Sequence, residues 1–231
     1  MGPMNGQQLE EAFFGHFPPE FIEDAIRLIA QEVKSSAAQC YTTFPKEEAY
    51  DILGGFRRAG IESKLRQLAE SYPEIAAEPV SNKKNGGGNF HTEIRAANSL
   101  LTVHKVQYKA TPVRKAKFRN SLAERSEASL FSEPSKPITP QQAVLYAVFK
   151  YGTDSRMPQA LAFAVIDFPN KDGKIVHTMN LLSMDRYSAI PAEFIRFSTL
   201  EEIEDNLNLN FRSDAKKKAR EDDGGDIAAE Q

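Results

Sequence analysis

The sequence predicts an α+β fold, with N-terminal helices followed by a mostly antiparallel sheet carrying an inserted basic helix. Two observations predict it. Apolar residues recur at three- and four-residue spacing through about residue 73, and beyond residue 88 they alternate along short stretches. Between those stretches lie segments rich in Pro, Gly and Asn, the residues that end helices and turn strands. Composition agrees: 41% hydrophobic and 26% charged residues describe a globular chain, neither disordered nor fibrous.

The elements follow in order. Met1-Gly2-Pro3 before Met4 is read as an expression scar and set aside, and no secretory leader is expected. Pro18-Pro19 suit a first helical turn, with Glu20, Glu23 and Asp24 complementing the helix dipole. Phe21, Ile22, Ala25, Ile26, Ile29 and Val33 then mark one buried face. A second helical stretch follows Pro45, and Gly54-Gly55 with Gly60 predict a kink or a break within it, each glycine costing about 1 kcal/mol of helix propensity. Residues 79–88 read as a loop. Residues 89–96 and 100–108 read as a β-hairpin around Ala97-Asn98-Ser99. A helix over 111–131 follows Pro112, and Glu133–Pro137 is a linker. Strands are expected at 143–150, 159–168 and 174–182, the last two joined by a turn at 169–173. Ser198 with Glu201 forms a capping box for a final short helix. The expected organisation is one α+β domain over 4–211, helical over 7–73 and sheet over 79–211, with a disordered charged tail at 212–231.

Several classes of function are excluded. Cys40 is the only cysteine, so there is no internal disulfide and no metal site built on two thiolates. The longest apolar runs, Ala143–Phe149 and Ala160–Ile166, have seven residues each, against the roughly 20 a membrane helix needs. A cytoplasmic protein with no membrane contact is expected. Walker, His-Glu-x-x-His and Gly-x-Ser-x-Gly motifs are absent from the sequence. His91-Thr92-Glu93 matches half of the zinc deaminase signature, whose Pro-Cys-x-x-Cys half one cysteine cannot supply. No metal or cofactor is expected.

Two constellations remain. Pairing around Ala97-Asn98 so that partner numbers sum to 195 sets Glu93 opposite Thr102 and His91 opposite His104. Their shared face then displays His91, Glu93, Arg95, Thr102 and His104. Two imidazoles and a carboxylate are the residue types of an acid–base site; they are equally the ordinary polar residues of a half-exposed sheet. The second is charge. Residues 81–119 carry nine basic side chains and one acid, a net of +8 within a chain of net charge −3. Lys105, Lys109, Arg114, Lys115, Lys117 and Arg119, interleaved with Tyr108 and Phe118, suit phosphate neutralisation with base stacking, or contact with an acidic partner protein. Asp167, Asp172 and Lys174 form a nuclease-like acid and Asp-x-Lys arrangement, which a tight turn explains better. His177 alternates with core residues, and Cys40 reads as inert.

Phe90-His91-Thr92-Glu93, Leu100–Val103, Lys117–Ala123 and Leu130-Phe131 together resemble a group of uncharacterised bacterial proteins, some of them near toxin–antitoxin or phage-defence genes. The resemblance spans roughly 44–185. It implies a bacterial, cytoplasmic setting and a defence or regulatory system, and supplies no catalytic residues. The first expectation is therefore a binding component of such a system, engaging nucleic acid or a partner protein through residues 105–119. The alternative is a phosphate-ester hydrolase or nuclease working through His91, Glu93 and His104. A third is a structural protein that oligomerises through its acidic N-terminal helices.

Overall fold

The computed structural model describes residues 4–81, 90–111, 113, 117–130, 144–153 and 160–187. These fall within one compact unit, Met1–Arg196; the remainder, Phe197–Gln231, lies outside the described residues. The expected Ser198-capped helix and the charged tail at 212–231 lie there too.

The fold is α+β. Helix α1 (Gly6–His16) starts with a reciprocal cap: the Asn5 side chain accepts from the Gln8 backbone N–H at 3.0 Å, and the Gln8 side chain accepts from that of Asn5 at 2.9 Å. Helix α2 (Pro19–Thr43) opens on proline, whose missing N–H is no loss in a first turn. Helix α3 (Lys46–Ala69) returns antiparallel to it. Six strands form one sheet in chain order: β1 (Ile75–Ser81), β2 (Phe90–Ala96), β3 (Ser99–Lys105), β4 (Tyr146–Thr153), β5 (Leu161–Pro169) and β6 (Ile175–Asn180). Neighbours are antiparallel except β3 and β4, which run parallel. Helix α4 (Lys117–Leu130) lies in the crossover between those two.

Strand alternation splits the sheet into two faces. Ile94, Leu101, Val103, Ala147, Phe149, Ala164, Ile166 and Met179 join Phe13 of α1, Phe17 of the link to α2, and Phe21, Ile22, Ile26 and Ile29 of α2 in the main core. The opposite face packs on α4, where Tyr146 and Val148 meet Ala123 and Leu122. Helix α2 has 25 residues, about 37 Å, whereas a seven-residue strand spans about 23 Å. The tip of the α2–α3 hairpin accordingly keeps a small core of its own, Ala37, Cys40, Ala49 and Leu53, with Tyr41, Phe44, Tyr50, Ile52 and Phe56 exposed around it.

Three elements differ from expectation. Helix α3 runs unbroken through its glycines. A Cβ at Gly54 or Gly55 would meet nothing within 4 Å, whereas one at Gly60 would collide with the Glu32 carboxylate of α2. Gly60 thus permits close helix packing and does not interrupt the helix. Residues 75–81, read as leading into a loop from Pro79, form strand β1. It is an edge strand, where a proline without a donor is tolerated. The described part of the basic helix begins at Lys117, not at 111.

We expect Gly60→Ala to displace the Glu32 carboxylate from Lys64 and so to lose the usual glycine-to-alanine gain, lowering stability by at most about 1 kcal/mol. Gly54→Ala should raise it by about 0.5–1 kcal/mol, the ordinary glycine-to-alanine gain in a helix. Urea unfolding followed by circular dichroism distinguishes the two.

Candidate functional site

The hairpin register matches the expected sum of 195: Glu93 pairs with Thr102 and Ile94 with Leu101. Ala97, at φ 48°, takes the left-handed conformation that its two-residue turn requires. On the α4 side of the sheet this register gathers three chains of polar contact.

The first runs across β1 and β2. Glu78 and Glu93 stand directly opposite each other, a repulsive cross-strand pair. Arg95 bridges them, at 2.5 Å from Glu78 and 2.7 Å from Glu93. Glu93 also contacts His91 Nε2 at 3.3 Å. The second joins α4 to β3 and β4. Arg119 Nη1 lies 3.5 Å from His104 Nε2, which is 3.2 Å from the Thr102 hydroxyl, itself 3.1 Å from the Tyr146 hydroxyl. The third crosses β4, β5 and β6. The Lys150 ammonium lies 2.6 Å from Asp167 and donates to the carbonyls of Lys109 at 2.8 Å and Thr111 at 3.3 Å. The Thr178 hydroxyl donates to the other Asp167 oxygen at 2.7 Å.

Helix α4 roofs this face. Phe118 stacks on the His91 ring, centroids 4.2 Å apart, and Arg119 lies over Phe118 at 4.9 Å. Further along the helix, Ser126 accepts from the Tyr146 backbone N–H at 3.1 Å. Burial tunes the groups below. It depresses His91 despite the Glu93 contact, and lowers His104 to about 3 with help from the Arg119 charge. The Tyr146 hydroxyl is pushed up to about 12. Both histidines are thus held neutral by their surroundings.

His91, Glu93 and His104 do come together, but the same geometry takes the first two out of solvent: His91 and Glu93 are 3% and 6% exposed, and His104 is half-buried. An acid–base pair needs reach to a substrate and a pKa near the working pH. As arranged, these groups join the sheet to its roof. Among the described residues no three His, Cys, Asp or Glu side chains gather as a metal site.

The basic residues spread over several elements. Lys105 ends β3 exposed, its pKa lowered by partial burial and by Arg57. Lys109 is exposed in the following loop, and Arg119 is half-buried on α4. Lys117 is the first residue of α4, its side chain outside those described, as are Arg114 and Lys115 entirely. Asp172 and Lys174 lie in the β5–β6 turn, where both backbone N–H groups donate to the Asn170 side chain. His177, expected in the core, is part-buried at its margin, stacked on Phe168 and 2.8 Å from Glu10 of α1. His16 meets Ser99.

Lys150 and Tyr146 were missed from sequence, although a signal existed. Lys150 closes the apolar run 143–149, and Asp167 closes the run 160–166. Opposite charges ending two apolar strands are the mark of a buried pair between them.

Comparison with protein-family models, curated protein sequences and solved structures finds no match in any of the three.

Two outcomes follow. Lys150→Met leaves Asp167 buried without its counter-charge and should cost about 3–5 kcal/mol, most of it recovered in Lys150→Met/Asp167→Leu; urea unfolding reads both. For His104, the unfolded ring takes its proton near pH 6.5 and the folded one only near 3. Between those values the unfolded chain holds the extra proton, so this contribution is full above 6.5 and is lost as pH falls toward 3. Its slope is at most about 1.4 kcal/mol per pH unit. Unfolding of wild type and His104→Asn across that window should show the variant's dependence flattened.

Proposed function

We propose that the protein is a binding component of a bacterial toxin–antitoxin or phage-defence system and engages nucleic acid through the basic segment at 105–119. The observation that carries this reading is the anchoring of that segment. The buried Lys150–Asp167 pair grips its backbone at the carbonyls of Lys109 and Thr111, while the Lys105 and Lys109 side chains stay exposed. A firmly held backbone with exposed cations is a pre-organised surface for a polyanion, which loses little ordering entropy on binding. The neighbouring strand ends add to it. By the register, Ser81 and Phe90 lie at the same end of the sheet as Lys105, and the chain between them carries Lys83 and Lys84 with no acid. The bacterial setting rests on the resemblance described above.

A hydrolase using His91, Glu93 and His104 is the second reading. It is favoured by the 3.3 Å His91–Glu93 contact and by the buried His91 Nδ1, which has no hydrogen-bond partner among the described residues.

Fluorescence anisotropy with duplex DNA, single-stranded DNA and RNA across a salt series tests the first reading. We expect affinity to fall steeply with salt. Replacing Arg114, Lys115, Lys117 and Arg119 with alanine should flatten the log–log slope on duplex DNA by up to about 3–4, roughly 0.9 for each phosphate no longer neutralised. No binding at low salt would turn attention to an acidic protein partner. Cleavage of the probe in divalent metal, abolished in correctly folded His91→Ala and Glu93→Ala, would favour the second reading.

A further inference from the structure

Helix α3 carries two apolar stripes, and the described residues cover only one of them. The inner stripe, with Ala49, Leu53, Ile61 and Leu65, is buried. The second, Ile52, Gly55, Phe56 and Ala59, falls at positions i, i+3, i+4 and i+7, the spacing of a helix-packing face. All four of its residues are exposed, Ile52 at 38% and Phe56 at 41%. We propose that this stripe is a self-association surface, on which α3 of a second copy of the chain packs antiparallel to form a reversible dimer.

Gly55 is the residue that a single copy does not explain. Glycine is the poorest helix former after proline. Its backbone here is ordinary helix, and a Cβ would meet nothing within 4 Å. Gly60 differs, because Glu32 occupies the space beside it. A glycine on an exposed apolar stripe lets another backbone approach closely. Size then selects the partner. With two copies of α3 antiparallel about a twofold axis between residues 55 and 56, Ile52 of one faces Ala59 of the other, and Phe56 faces Gly55. Each large side chain meets a small one, the self-complementarity that a twofold contact requires. Parallel pairing would set Phe56 on Phe56 and Gly55 over a gap. Charge selects the same arrangement. Residues 46–54 carry three acids and one base; residues 55–69, leaving aside the buried Arg57, carry three bases and one acid. Antiparallel packing lays the acidic half of each helix along the basic half of the other and opposes the two helix dipoles. Parallel packing would lay acid on acid.

One helix crossing buries less than the roughly 1,200 Å² of total surface at which stable interfaces begin, so the dimer is transient, with a Kd micromolar or weaker. It uses no residue of 105–119 and is independent of nucleic-acid binding as proposed above.

Sedimentation equilibrium of the full chain, over a concentration series reaching about 1 mM, is the test. We expect the average mass to rise from the 25.8 kDa of one copy toward twice that value. Gly55→Leu fills the gap that receives Phe56 and raises helix propensity at an exposed position, so the fold is kept. It should weaken the dimer at least about tenfold. Circular dichroism checks the fold, and should it be lost, Ile52→Glu is read in its place. Mixing Ile52→Cys with Ala59→Cys under mild oxidation reads the orientation, with the buried Cys40 left as it is. A disulfide between the two different variants, in preference to either variant with itself, is the expected product. A single copy at the highest concentration, a dimer indifferent to both Gly55→Leu and Ile52→Glu, or preferred cross-linking of identical variants would each overturn the proposal.

Discussion

The parallel pairing of β3 with β4 is the constraint on which the rest of the structure depends. Antiparallel neighbours can be joined by tight turns, but a parallel pair needs a connection that leaves the sheet and returns at its other end. Helices α1–α3 already cover one face. The crossover, with α4 in it, therefore lies on the other, over strands whose alternation had filled that face with His91, Glu93, Thr102, His104, Lys150 and Asp167. A face patterned for water becomes a buried layer. Its polar groups must then find partners inside the protein, and the three chains of polar contact described above are how most of them do so.

This also explains why the buried charges take the form they do. A buried ion pair contributes little net stability, because desolvation offsets most of its Coulomb gain. Lys150 has further donors beyond the one directed at Asp167, and they hold the carbonyls of Lys109 and Thr111. The pair thus fixes where the crossover leaves the sheet, a gain in position more than in energy. Phe118 on His91 does the same for the first turn of α4.

Much of the fold was legible in the sequence because it depends on local chemistry. Helical periodicity in Phe21–Val33, the Ala97-Asn98 turn with its register, and the Asn170–Gly173 turn all follow from nearest neighbours. What stayed hidden depends on distant parts of the chain. Pro79 marks a loop unless its strand is known to be an edge. Gly60 marks a break unless Glu32 is known to pack against it. The site was legible only in part. The register brought His91, Glu93 and His104 to one face, but nothing local says that α4 will cover that face and hold His104 neutral. Conversely, Lys150 and Asp167 were visible as charges closing two apolar runs, and only the β4–β5 register turns that coincidence into a contact.

Hydrogen–deuterium exchange of the full chain, with and without a short single-stranded oligonucleotide, bears on the central reading of the basic segment. Slowed exchange in residues 104–111 and in the first turn of α4, with α1 and the α2–α3 tip unchanged, is the expected pattern. Protection confined to the exposed aromatic tip around Tyr41–Phe56, or none at saturating oligonucleotide, would contradict the assignment of the anchored basic segment as the contact surface.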